Sequence, residues 1–328
     1  MRAERRPSGH RGGVPQGERL IDAALLGLGR WGQALFESVQ GRSAAIRFVR
    51  SFDPSGASLP GVRPAGSYEE VLADSAIAAV VLATPHSLHR EQVIAAAGAG
   101  KHVFCEKPLA LALADAEAMV DACRKAGVVL AVGHNRRFWP SIVFLKELVA
   151  EEKLGRPLHI EGHNSNEHSN RVAGGWRTLE SESPGGGFTG AGLHVLDAFT
   201  SLFGPVRRVR AAQLATYRAE IPPLDAMSAL YEFENGCTGT LGTVRATPFY
   251  WRVHVFGSAG SAEVLGEAEV VLRFSGKPPE RISLEPRDSV RAELEAFAAA
   301  AGGRAPYPIS EREMLATTAA FEATLAAL

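Results

Sequence analysis

The sequence predicts an α/β chain in which a doubly wound parallel sheet is followed by an α+β domain with a mostly antiparallel sheet. Three observations carry this. Between Ile21 and about Val132, short apolar runs alternate with helical patterns, the signature of repeated βα units. A glycine-rich turn joins the first strand to the first helix. After Phe203, strand patterns follow one another without intervening helices, which favours antiparallel pairing.

The elements read in order as follows. "IDAALL" is a strand that runs into the turn "GLGRWG", and "WGQALFESVQ" has helical spacing. "AIRFVRSFD" is the second strand. "SYEEVLAD" is a short helix opened by Ser67, with Glu70 placed to close a capping box. "IAAVVLATP" is continuously apolar, as a strand covered on both faces must be. "LHREQVIAAAGAG" is a helix stopped by glycine, "KHVFCEKP" a strand, "ADAEAMVDACRKAG" a helix and "VVLAVGHN" a strand. Beyond Arg137, "PSIVFLKELVAEEKLG" is helical, "PLHIEGHNSN" is a strand, and a further helix covers Gly190 to Phe203. Strand-rich segments follow, punctuated by "ENG" and "GSAG", and two helical patterns end the chain. The expected organisation is a disordered tail at residues 1–20, a first domain at 21–137 and a second at 138–309. The last helix, at about 310–328, packs back on the first domain.

Composition narrows the function. A net charge of -1 over 328 residues gives no footprint for nucleic acid or an acidic membrane surface. The Arg/Gly/Pro-rich N-terminal stretch lacks the apolar core of a secretory signal, and no apolar run reaches the length of a membrane span. Cys105, Cys123 and Cys237 lack metal-like or disulfide-like spacing and fit a reducing compartment. The expectation is a cytoplasmic protein that acts on a small molecule.

Gly27, Gly29 and Gly32 form G-x-G-x-x-G between a strand and a helix. The first glycine allows the tight turn, the second a close approach to a pyrophosphate, and the third close helix–strand packing. Arg30 and Trp31 lie at the helix start, where unpaired N–H groups attract phosphate, and join the cofactor set. Asp53 ends the second strand at the spacing expected of a ribose-binding acid, which favours NAD over NADP. Arg50 nearby tempers that preference, and Asp53 also suits a turn before Pro54.

With "ATPHSLH", "EKP", "VGHNRRF" and "GGGFTGAGLHVLD" following in this order, the chain from Ile21 onward resembles the Gfo/Idh/MocA oxidoreductases, named for glucose–fructose oxidoreductase, inositol dehydrogenase and a rhizopine-catabolism protein. The resemblance implies a Rossmann domain, a second domain with a large open sheet, and an active site between that sheet and the nicotinamide. It also implies a homo-dimer or homo-tetramer joined through the sheet. Thr84, Pro85 and His89 match positions that line the cofactor; His86 fits less firmly.

Lys107 sits at the C-terminal end of a parallel strand, where open α/β sheets bind ligands. Desolvation and a neighbouring cationic ring lower a lysine pKa, making Lys107 a proton acceptor or a polariser of substrate oxygen. Glu106 orders Lys107 or contacts the cofactor. Arg136 either holds an anionic substrate or makes a helix-start salt bridge. Trp176 walls the pocket or belongs to the core.

His194 matches the family's catalytic histidine. The family pattern has an aspartate four residues earlier, where this chain has Gly190. Asp197, His163 and Asn164 are the candidates to compensate, and Thr189 offers a hydrogen bond to substrate. The glycine leaves room for a bulkier substrate, or for a carboxylate that an aspartate would repel. Lys107 and His194 together favour an NAD(P)-dependent oxidoreductase acting on a sugar, polyol or related acid, with no metal. A cofactor-assisted lyase or decarboxylase and a dinucleotide-binding sensor are the alternatives.

Overall fold

The computed structural model describes residues 20–166, 175–218, 224–245 and 247–328, so nearly all of the expected tail lies outside the described residues. The apolar run Ile21–Leu26 forms β1, inside a six-stranded parallel sheet. The other strands are β2 (Ile46–Phe52), β3 (Arg63–Pro64), β4 (Ala79–Leu82), β5 (His102–Glu106) and β6 (Leu130–Gly133). Their spatial order is β3-β2-β1-β4-β5-β6, which reverses direction between β1 and β4 and opens a ligand crevice at their C-terminal ends. Every residue of β4 is buried, so both sheet faces must be covered. The covering helices are α1 (Arg30–Val39), α2 (Tyr68–Ala73), α3 (His89–Gly98) and α4 (Leu113–Ala126).

At α2, Ser67 accepts from the Glu70 N–H as expected. The Glu70 carboxylate accepts from Gly66 N–H and pairs with Arg50, so the capping box is not reciprocal. A full capping box forms instead at Ser310 and Glu313, opening α8 (Glu311–Leu325).

The second unit begins with α5 (Pro140–Ala150) and β7 (Pro157–Asn166), followed by α6 (Leu193–Phe203). Strands β8 (Val206–Arg218), β9 (Leu224–Phe233), β10 (Thr238–Arg245), β11 (Tyr250–Gly257), β12 (Gly260–Leu265), β13 (Glu269–Phe274) and β14 (Glu280–Ser283) complete an eight-stranded sheet. Its order is β14-β13-β12-β11-β7-β10-β9-β8, and only the β7–β10 pair is parallel. The short, polar β3 and β14 are absent from the sequence expectation. Helix α6 lies tightly on β7: a Cβ on Gly162 would stand 2.2 Å from Val195 Cγ1 and 2.7 Å from Phe199 Cε1. That close approach sets the height of α6, and hence of His194, above the sheet.

Helix α7 (Ser289–Ala301) falls within the span expected for the second domain, yet it buries Leu294 and Phe297 in the core of the first. Helix α8 packs on α4 and also on α6 and β8. No helix among the described residues is long and apolar enough to cross a membrane.

Candidate active site

The glycine turn has the geometry its spacing requires. Gly27 has φ 83°, and a Cβ there would lie 2.5 Å from the Ala83 carbonyl oxygen. A Cβ on Gly32 would lie 1.9 Å from the Gly27 carbonyl oxygen, which is the close helix–strand contact. A Cβ on Gly29 would meet nothing within 4 Å; it would project into open space before α1. That helix has no acidic residue in its first turn and no side-chain cap, so no side chain of its own competes for the N–H groups at its start. These features fit a dinucleotide pyrophosphate.

Asp53 closes the cradle at the end of β2. Its Oδ2 accepts from Leu28 N–H at 2.7 Å, and its Oδ1 accepts from the Ser55 backbone and hydroxyl at 2.9 and 2.6 Å. Burial opposes the charge, but these bonds outweigh it and hold the carboxylate below its usual range. Arg50, three residues before it, is buried between Glu70 and Asp74.

Between the cradle and the large sheet lies a cavity of about 330 Å³, and Arg30 and Trp31 line it at the cradle end. Glu106 and Lys107 enter from the end of β5, and His194 from the first turn of α6. Lys107 Nζ donates to the Gly190 carbonyl oxygen at 2.7 Å, and the Lys107–Pro108 peptide is cis. Burial pushes Lys107 down and Glu106 up, each moderated by the other's charge; Arg136, Arg177 and Arg30 lower Lys107 further. Burial, then the charges of Lys107, Arg136 and His134, push His194 well below its ordinary value, so its imidazole is neutral at physiological pH. His194 Nδ1 is buried without a hydrogen-bond partner.

Gly190 stands in a π-helical turn, Phe188–Gly192, just ahead of α6. Single π turns are frequent at functional sites. This one presents the Gly190 carbonyl to Lys107, and a Cβ on Gly190 would meet nothing within 4 Å.

The expected supporting residues divide. Asp197 is buried in a two-point ion pair with Arg137, 2.7 Å and 3.0 Å, and lies 3.7 Å from His134 Nε2; it does not line the cavity. His163 is bonded to Ser165 and packs near Tyr250, on the sheet face away from α6. Side chains alternate along a strand, so Gly162 and Asn164 meet the α6 side while His163 cannot. Asn164 is on that side, but its amide donates to the Ala191 carbonyl at 2.7 Å and shapes the π turn. The Thr189 hydroxyl is spent on the Pro184 carbonyl, and the residue is fully buried. Trp176 does not line the cavity; it packs edge-on to His86, and Arg177 beside it takes the lining position.

Near the cofactor end, His89 is fully buried between the carbonyl oxygens of Pro108 at 2.9 Å and Thr84 at 3.3 Å. It braces β4 and β5 rather than lining the cavity. Thr84 bonds to Gln92 at 2.6 Å and Pro85 precedes a 3₁₀ turn, whereas His86, the less firm match, does line the cavity. The structure also brings Asn135, Asn166 and Arg245 to the cavity wall. Asn135 lies in the "VGHNRRF" motif and Asn166 in the polar strand "PLHIEGHNSN", whereas Arg245 carries no such signal in the sequence.

A Rossmann domain whose nucleotide crevice opens onto a lysine and a histidine beneath a second, mostly antiparallel sheet defines a two-domain dinucleotide-dependent oxidoreductase fold. Residues 21–134 match the model "Oxidoreductase family, NAD-binding Rossmann fold", and 142–263 match the "GFO/IDH/MocA C-terminal domain". The chain belongs to the Gfo/Idh/MocA family. It is 31% identical over 245 residues to D-xylose 1-dehydrogenase (NADP(+)) 2 of Haloferax volcanii, covering 72% of this chain and 73% of that one. It is 40% identical over 131 residues to 1,5-anhydro-D-fructose reductase of Ensifer adhaerens, covering 40% of this chain and 39% of that one. The chain spans about half the length of several curated relatives it matches. The solved structure of a levoglucosan dehydrogenase with NADH and L-sorbose superposes with a TM-score of 0.83 at 23% identity, over 94% of this chain and 96% of that one.

Proposed function

We propose that the protein is an NAD(P)-dependent dehydrogenase or reductase of a sugar, polyol or related acid, with NAD preferred. The observation that carries this is the cavity in which Lys107 and His194 meet at the open end of the glycine cradle. A nicotinamide held there would supply hydride transfer to or from the substrate carbon. Lys107, its proton affinity lowered by burial, takes the hydroxyl proton in the oxidative direction and returns it in the reductive one. His194, held neutral, orients the hydroxyl and stabilises charge on its oxygen. The Gly190 carbonyl steers the lysine amine. The NAD preference rests on the ionised Asp53 at the ribose position and on Arg50 being engaged by Glu70 and Asp74, away from a 2′-phosphate.

The relatives named as dehydrogenases and reductases of sugars support the substrate class. The test is incubation with NAD and NADP and a panel of sugars, polyols and hydroxy acids, read at the reduced-nicotinamide absorbance. Dinucleotide binding with no turnover across the panel would sink the reading. We also propose that copies associate through the outer face of the large sheet, where Glu161, Arg252, Glu263 and Arg273 form a ladder of ion pairs. Light scattering that gives a monomer mass would reject it.

A further inference from the structure

Two adjacent guanidinium groups are treated oppositely. Arg137 is buried and paired with Asp197 and Glu313. Arg136 lines the cavity with Lys107 and His194, and among the described residues no carboxylate lies within ion-pair distance of it. Its Nη1 is buried without a hydrogen-bond acceptor. We infer that the substrate carries a carboxylate, as a sugar acid does, and that Arg136 receives it; this rests on the dehydrogenase reading of the same cavity.

Three aromatic rings hold Arg136. Its guanidinium carbon lies 4.2 Å from the ring centroid of Trp251, 5.0 Å from that of Trp139 and 5.9 Å from that of Phe249. Aromatic faces attract the cation and fix the plane of the fork, but they accept nothing from its N–H edge. A buried donor left without an acceptor is costly, and a planar fork of donors matches a carboxylate in two-point contact. The aromatic box therefore preorganises an anion receptor. Burial draws the Arg136 pKa down to about 9, which leaves it cationic at neutral pH.

The charge inventory of the cavity agrees. Among the described residues, Arg30, Lys107, Arg136 and Arg177 line it beside one carboxylate, Glu106. A dinucleotide pyrophosphate offsets part of that excess, and Arg30, at the helix start beside the glycine turn, stands where the phosphates go. Arg177 feels Glu106 and Arg30 and, like Arg30, acts on Lys107, but of the three arginines only Arg136 also acts on His194. Arg136 acts on Lys107 and His194, which places it at the reacting end. A neutral sugar would leave that charge unanswered. Beside it, the wall at Gly190 contributes no side chain, and a Cβ there would meet nothing within 4 Å.

Matched pairs differing only at the acidic group provide the test: D-glucuronate with D-glucose, D-galacturonate with D-galactose, and D-gluconate with D-glucitol. Each is assayed with NAD and NADP on the wild type and on Arg136→Met. The expected result is a kcat/KM for the acid between about ten- and a hundredfold above its neutral partner, the range for a charge-assisted hydrogen bond. Arg136→Met erases that difference while NADH affinity, measured by fluorescence, is retained. Neutral members turned over as well as the acids would overturn the carboxylate and leave the dehydrogenase reading intact. If no member is turned over, the dehydrogenase reading fails instead, and binding to the NADH-loaded protein decides the inference. Acids bound more tightly than their partners by the wild type alone support it, and equal binding rejects it.

Discussion

Lys107 Nζ and the carbonyl oxygen of Gly190 are 2.7 Å apart, so a backbone dipole rather than a side-chain carboxylate receives the lysine amine at position 190. The difference is one of charge. A full negative charge beside an ammonium favours its protonated form and raises its pKa. Gly190→Asp is sterically open, because a Cβ there meets nothing within 4 Å and the backbone has no positive φ. The variant is expected to fold and bind NADH. Its rise of kcat/KM with pH in the oxidative direction should move to higher pH, since Lys107 then loses its proton later. An unmoved profile would remove Lys107 as the proton acceptor.

In the wild type, burial and the neighbouring arginines lower the Lys107 pKa. Oxidation should therefore speed up as pH rises through a range well below that of a free lysine, because the neutral amine is the acceptor. His194 is shifted well below 6.5 and adds no inflection above that pH. Lys107→Met should lose turnover by roughly a hundredfold or more and lose the inflection with it. NADH affinity, measured by fluorescence titration, should hold.

Asp53→Ala should weaken NAD by roughly tenfold or more, the value of a charge-assisted hydrogen bond, and weaken NADP less. The asymmetry follows from charge: the carboxylate accepts from ribose hydroxyls but repels a 2′-phosphate. Arg50 cannot reverse this while it stays buried against Glu70 and Asp74. Equal losses for both cofactors would show that Asp53 only supports the loop through Leu28 and Ser55.

The parts of the site legible in the sequence are those whose constraint is local. Gly27 and Gly32 are demanded by a turn and by a contact a few residues away, and β4 declares itself because burial on both faces leaves an unbroken apolar run. Orientation across elements was less legible. His163 and Asn164 are adjacent polar residues on one strand, and only the packing of α6 onto Gly162 decides which faces the site. Arg136 and Arg137 are equivalent as letters; Asp197, 60 positions away, claims the second and leaves the first to the cavity. His89 matches a cofactor-lining position and Thr189 is expected to bond substrate, yet both side chains are taken up by backbone carbonyls that hold the walls in place.

The Arg137–Asp197 pair makes a contrasting prediction about stability. Both side chains are almost fully buried, and the pair ties the 3₁₀ turn Asn135–Phe138 to α6, with Glu313 of α8 as a further acceptor. Removing one partner strands a buried charge and costs roughly 3–5 kcal/mol. Asp197→Ala should therefore lower Tm sharply, whereas Arg136→Met should leave Tm nearly unchanged or raise it. Equal Tm losses in the two variants would contradict the division of labour between the neighbouring arginines.

The glycine turn separates folding from binding within six residues. Gly32→Ala places a methyl 1.9 Å from the Gly27 carbonyl oxygen, so helix and strand must part, at a cost of about 1–3 kcal/mol or more for overpacking. Gly27→Ala adds the strain of a positive φ to a 2.5 Å clash with the Ala83 carbonyl oxygen. Gly29→Ala meets neither obstacle, since its φ is -65° and its Cβ would stand in open space. Thermal denaturation should therefore fall for the first two variants and stay level for Gly29→Ala. Dinucleotide affinity should fall for Gly29→Ala all the same, because the added methyl occupies the approach to the N-terminal amides of α1. A Gly29→Ala protein that binds NADH as tightly as the wild type would place the pyrophosphate elsewhere, and would separate the cradle from the cavity that holds Lys107 and His194.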